Sequence, residues 1–352
     1  MCVDFIGFRS GRGRRPTVSV VRLAAILAAA AACPAAASAA DFYAGQTITL
    51  IVGASDGGAY AVYARVLAQH LPNFIPGKPT IIVQAMPGAG GTKMANYMYN
   101  AAHRDGLVIG TPLAPMPITQ LLRPEGVKYD AAKFQWLGNL EGSPPVLAVW
   151  HTAPVQSIEE AKTRELIVAS SGKGSVTYQV PAMINRLLGT KIKIVSGYKG
   201  ETDIDLAIER GEVHGRASFY GSMIVSKPQQ IKDGRLRFIA QVSTHDVPAL
   251  KNVPNLVATA KDDETRRMFE FFALQSATGR AYFTPPAVPA DRVATLRKAF
   301  DDTTASKQFD ADMKTRHMLY DVTPGVEVQK AVVKMLATPK RLVDRVREAI
   351  GF

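Results

Sequence analysis

Residues 48–71 read ITLIVGASDGGAYAVYARVLAQHL, a strand, a small-residue loop and a helix in one unit. Residues 47–52 (TITLIV) are β-branched and apolar, the composition of a buried strand. Gly53-Ala54-Ser55-Asp56-Gly57-Gly58 interrupts it with residues that tolerate unusual backbone angles. Residues 59–71 then run without Gly or Pro, as a helix does. A helix that begins at such a loop points unpaired N–H groups and a partial positive charge into the space above the strand end. That is a place for an anion. A plain βα turn of an α/β sheet explains one such loop equally well.

The device recurs. Residues 166–170 (LIVAS) form a second apolar run, Ser171-Gly172-Lys173-Gly174-Ser175 a second loop, and residues 176–188 a second helix with Pro181 near its first turn. Two anion-ready loops about 115 residues apart suggest two α/β lobes facing one cleft. Between them come a strand at 80–84, a Gly-rich loop at 87–91 (PGAGG), a helix at 92–102 and a strand at 107–110. This alternation argues a parallel sheet. PGAGG lacks the Gly-Lys-Ser/Thr ending of a P-loop, and no GxGxxG is present.

Residues 134–140 and 144–150 lead into the second lobe, and Ser157 with Glu160 has capping-box spacing. A strand at 191–195 ends at Gly197-Tyr198-Lys199-Gly200. Thr202 and Asp205 are candidate caps of a helix to Arg210, which Gly211 ends. Residues 213–218 carry His214 and Arg216, and 235–242 read as a further strand. Residues 270–275 and 279–284 return the chain to the first lobe. Helices follow at 289–304 and 306–317, then one capped by Thr323-Pro324, and one at 339–350. The expected division is 1–40 signal peptide, 41–142 plus 246–352 lobe one, and 143–245 lobe two.

The leader assignment rests on five arginines, an alanine-rich run at 23–32 too short to span a bilayer, and small residues before Asp41. Pro16-Thr17 after Arg14-Arg15 is a poor twin-arginine continuation. Cleavage after Ala40 leaves 312 residues, and the formal charge falls from +12 to +8 as five arginines and Asp4 leave. Cys2 and Cys33 leave with them, which excludes cysteine chemistry in the rest. A basic balance suits anionic ligands or a membrane surface. Lys and Arg are scattered, without basic runs interleaved with aromatics, so nucleic acid is not expected. None of the six histidines stands at metal-ligand spacing, no GxSxG elbow occurs, and no cofactor motif is present.

Taken together, several stretches resemble the solute receptors of tripartite tricarboxylate transporters, the Bug family of periplasmic binding proteins. They are TITLIVGASDGGAYAVYARVLAQHL, MPGAGG with its helix, RDGLVIG, LIVASSGKGS, SGYKG, GEVHGRAS and YFTPPAVPADRVATLRKAF. The resemblance covers essentially all of residues 41–352. It implies a type II-like, two-lobed periplasmic-binding-protein fold, each lobe a mostly parallel sheet flanked by helices with the ligand cleft between. It further implies a monomeric periplasmic receptor that does no chemistry, captures a small carboxylate and passes it to membrane transporter subunits. By position, the carboxylate-holding loops are Ala54, Ser55, Gly57 and Gly58, then Ser171, Gly172, Gly174 and Ser175.

The chain departs from the family in places. Ala61 stands where members often carry Asp, and Tyr178 where His is common. Asp56 either caps the first helix or receives a hydroxyl or ammonium of the ligand. Arg216 either pairs with a second ligand carboxylate through its planar fork or forms an ion pair at the surface or between lobes. Lys199 beside Tyr198 is a ligand contact or a solvated turn residue. Tyr60, Tyr178 and Tyr220 are pocket walls or core. Two other readings stay open: a signalling receptor for a sensor kinase, and an exported hydrolase using Ser171 or Ser175, since triads assemble in space.

Overall fold

The computed structural model describes residues 42–244 and 246–351. The leader reading lies outside these residues. Strand β1 (Thr47–Val52) is buried along most of its length, and β2 (Thr80–Ala85) and β3 (Val108–Thr111) flank it in parallel. A strand covered on both faces needs a continuous apolar run, which TITLIV supplies. Next in the chain come β4 (Gln135–Asn139), β5 (Pro145–Trp150), β6 (Leu166–Ser170), β7 (Ile192–Ser196), β8 (Gly215–Phe219) and β9 (Leu236–Gln241). The last two are β10 (Ala281–Thr284) and β11 (Thr323–Pro324).

They form two sheets, ordered β11-β4-β10-β3-β1-β2 and β7-β6-β8-β5-β9. The parallel cores are β1–β3 and β6–β8, as the alternation predicts. Each sheet also takes in an antiparallel strand near a crossing between lobes: β10 runs against β3 and β4, and β5 against β8 and β9. Both sheets are therefore mixed.

Helix Ala59–His70 follows β1 and buries Tyr60, Tyr63, Val66 and Leu67 against the first sheet. Helix Val176–Leu188 follows β6 and ends at Gly189, whose φ of +67° is the left-handed conformation a helix terminator needs. Pro181 lies deeper than the first turn, among buried residues of the helix interior, where it has no N–H to give the Thr177 carbonyl.

One local expectation changes. Thr202 and Asp205 do not cap helix Glu201–Glu209: its N-cap is Gly200, without a side-chain bond, and Asp205 points inward at mid-helix. Residues 270–275 are the end of helix Asp263–Ala273 and the start of the turn Leu274–Thr278, and Ala281–Thr284 follows as a strand. Thr323–Pro324 pairs with β4, and Pro324 is the N-cap of helix Gly325–Leu336, without a side-chain bond.

The two crossings are pinned together. Arg280 N–H donates to Asn139 Oδ1 at 2.7 Å, and Leu140 N–H donates to the Arg280 carbonyl at 3.0 Å. A methyl added to Gly142 would lie 2.8 Å from the Ser276 carbonyl oxygen, so the segments approach as closely as glycine allows. Among the described residues no helix is long and apolar enough to cross a membrane.

Candidate ligand-binding site

The loops after β1 and β6 meet at one cavity of about 320 Å³. It lies outside the carboxyl ends of parallel strands, the usual crevice of open α/β sheets. Ala59 and Tyr60 begin one helix on its wall, and Val176 and Thr177 begin the other. First-turn N–H groups have no partner within their own helix. Two positive helix ends thus converge on one space, with no arginine among the described residues on the wall.

The second loop is preorganised by its own hydroxyls. Ser175 Oγ donates to the Gly172 carbonyl at 2.8 Å and contacts Thr177 Oγ1. Thr177 Oγ1 accepts from Ser171 N–H at 3.0 Å and donates to Ser170 Oγ at 3.2 Å. Ser170 Oγ in turn accepts from Gly172 N–H at 3.0 Å. Ser171 and Ser175 line the cavity, but no histidine among the described residues does.

Tyr60 is a wall residue. Its hydroxyl accepts from Ala114 N–H at 3.0 Å, and the buried Arg280 guanidinium stacks 3.9 Å from its ring centre. Burial pushes the Tyr60 phenol up to about 12, more than Arg280 pulls it down, so it stays neutral at ordinary pH. Arg280 donates to the Gly279 carbonyl at 2.7 Å, which ties this wall to the crossing.

The loops also touch across the mouth. A methyl on Gly90 would sit 2.6 Å from Gly174 Cα, and one on Gly200 would sit 2.5 Å from Ser55 Oγ. Gly90 itself has φ of +63°. The mouth of the cavity is therefore narrowed by contacts between PGAGG and the second loop, and between the first loop and Gly200.

Of the residues expected at the site, Ala54, Ser55, Gly58, Ser171, Ser175, Tyr198 and Lys199 line the cavity. Six do not, each for a physical reason. Asp56 is 70% exposed and pairs with Arg65, whose Nη2 also donates to the Asp56 carbonyl at 3.0 Å; it does not cap the helix, whose N-cap is Gly58. Gly57 faces Thr202 instead. Gly172 supplies the carbonyl that fixes Ser175, and Gly174 packs its backbone on Ala89 and Gly90. Tyr178 packs against the apolar cluster that joins helix Val176–Leu188 to Ile118, Phe272 and Val346, with the Lys173 ammonium 5.9 Å from its ring centre.

Arg216 is the largest correction. It is fully buried, with Nε donating to Asp205 Oδ1 at 2.7 Å and Nη1 3.4 Å from Glu201 Oε1. Burial pushes its guanidinium down, but the two carboxylates more than offset this, so its pKa lies above the ordinary value. It pairs with helix Glu201–Glu209, away from the surface, and does not stand on the cavity wall. Tyr220 likewise stacks on Phe238, 5.5 Å between ring centres, away from the cavity.

Sequence reading missed Leu113, Thr177, Glu201 and Phe219 on the wall. Pro87–Gly91, one of the stretches that carry the family resemblance, also lines the wall. Phe219 is legible as the end of the strand that carries Arg216, and Glu201 as the first residue after Gly200. Leu113 left no signal.

A family model described as "Tripartite tricarboxylate transporter family receptor" matches residues 63–318. The chain is 27% identical over 255 residues to a UPF0065 protein in the gbd 5′ region of Cupriavidus necator, covering 69% of this chain and 73% of that one. It is 24% identical over 279 residues to a UPF0065 protein of Bordetella bronchiseptica, covering 76% of each. Among solved structures it is similar to the periplasmic binding protein BugD, with TM-score 0.69, 19% identity, and 87% and 98% of the two chains covered. It is also similar to MatC from Rhodopseudomonas palustris with bound malate, with TM-score 0.67, 20% identity, and 87% and 99% covered. At these identities the likeness to solved structures is one of fold.

Proposed function

We propose, for a chain that belongs to the tripartite tricarboxylate transporter receptor family, a periplasmic receptor that closes on a small carboxylate and presents it to membrane transporter subunits. The observation that carries the reading is the convergence of two helix N-termini, at Ala59–Tyr60 and Val176–Thr177, on one cavity. Hydrogen bonds to a charged group contribute about 1.5–3 kcal/mol each. A few backbone N–H groups therefore suffice to hold a carboxylate. A volume of about 320 Å³ suits a small acid. The bound malate of the MatC structure fits this ligand class.

Closure gives the receptor its signal. The close approaches of Gly90 to Gly174 and of Ser55 to Gly200 join loops of the two sheets across the mouth, where an opening motion would separate them. A membrane partner that reads the closed pair distinguishes loaded from empty receptor.

A thermal-shift screen of mono-, di- and tricarboxylates, each beside its neutral amide, tests the reading. A ligand at about 100 times its dissociation constant adds roughly 2.7 kcal/mol of stability. The expected result is a melting shift with one group of acids and none with their amides. A shift produced equally by the amides, or only by compounds without a carboxylate, overturns it.

A further inference from the structure

We infer that Glu201 reads a hydrogen-bond donor on the ligand, so that the site prefers carboxylates that also carry an ammonium or hydroxyl group over plain alkanoic or alkanedioic acids. The inference rests on the receptor reading above and deepens it. Glu201 is the one carboxylate on the cavity wall among the described residues. It opens helix Glu201–Glu209, beside Tyr198 and Lys199. Its placement is fixed from behind. Oε1 accepts from Ser218 Oγ at 2.6 Å and lies 3.4 Å from Arg216 Nη1. Arg216 is held in turn by Asp205, from Nε at 2.7 Å and Nη2 at 3.3 Å. This anchoring occupies one carboxylate oxygen. The other, Oε2, is buried and takes no hydrogen bond from any described group.

A buried carboxylate oxygen without a donor is costly. A ligand donor arriving there removes that cost, and a methylene does not. The two helix N-termini favour the ligand's carboxylate at Ala59–Tyr60 and Val176–Thr177, while Glu201 favours a donor or a cation. The cavity is thus bipolar. A site built to bond a ligand OH or NH discriminates strongly against the analogue that lacks it, because its own polar group is then left unpaired. Among the described residues Lys199 is the one cation on the wall, and it is exposed. If it held a second ligand carboxylate, plain dicarboxylates would bind best, and the test below separates the two cases.

The test is calorimetric titration with succinate, malate and aspartate, which share one skeleton and differ in a hydrogen, hydroxyl or ammonium at C2. The five-carbon series glutarate, 2-hydroxyglutarate and glutamate is run beside it, as are butanoate and 2-aminobutanoate. In the unmodified protein the donor-bearing member of the fitting series binds at least tenfold tighter than its plain parent. Glu201→Gln, which keeps the shape and removes the charge, weakens the ammonium compound at least tenfold and leaves the plain acid unchanged or tighter. The ranking in the unmodified protein needs no variant and decides the matter even if Glu201→Gln fails to fold. Equal affinity across a series, or a Glu201→Gln loss equal for all members, overturns the inference and leaves the receptor reading standing. Failure of every carboxylate in the set to bind overturns both.

Discussion

Arg216 is worth most to the lobe as a buried counter-ion. It stands on β8 with no exposed surface, and Asp205 and Glu201 approach it from the neighbouring helix. Removing one partner of a buried pair leaves the other charges uncompensated, which costs about 3–5 kcal/mol. Arg216→Met is expected to lower unfolding stability by about that amount in urea denaturation. A loss below about 1 kcal/mol would mean that Lys227, 3.8 Å from Asp205 Oδ2, takes over the pairing. None of this was legible along the chain. Asp205 reads as a capping candidate because Asp is favoured at helix starts. The structure starts the helix four residues earlier, at Glu201, so Asp205 falls on its inward face. Asp56 misled in the same way: proximity to an anion-ready loop in sequence says nothing about its partner Arg65, one helical turn and more away.

Strands, helices and their joining loops were the most legible scale. TITLIV and LIVAS lie between breakers, and each following helix has a run free of glycine, so both βα units stand within a residue of their expected bounds. Such periodicity is local physics and needs no knowledge of the partner. What a loop meets is not local. PGAGG resembled a poor phosphate cradle, yet its glycines serve close approach: Gly90 holds φ of +63° and its Cα faces Gly174 backbone. An alanine there places a methyl 2.6 Å from Gly174 Cα and adds left-handed strain of about 1–2 kcal/mol. Gly90→Ala is therefore expected to prop the mouth open. Titration with the best acid from the screen is expected to show at least tenfold weaker binding, about 1.4 kcal/mol, and urea denaturation a loss of no more than about 2 kcal/mol. Unchanged affinity would show that the loop contact does not serve closure.

At the scale of the whole molecule, the repeated βα unit foretold two α/β sheets and a shared cleft. The antiparallel strands β5 and β10 did not announce themselves, because four to six apolar residues read alike in either direction. Their placement matters, since the segments beside them join the sheets: Glu141 and Gly142 lie against Ser276 and Gly279, and Arg280 links that junction to Tyr60 on the cavity wall. Wall and crossing are thus in continuous contact, which suits a molecule that changes shape when filled. The decisive measurement is a crystal structure of the protein with the acid selected by the screen, which shows whether a carboxylate is held between the two helix N-termini. Carboxylate oxygens are expected within hydrogen-bond distance of N–H groups from both helix starts, Ala59–Tyr60 and Val176–Thr177. An acid bound outside the cleft, or lying in it with its carboxylate turned away from both, would rule out such a grip.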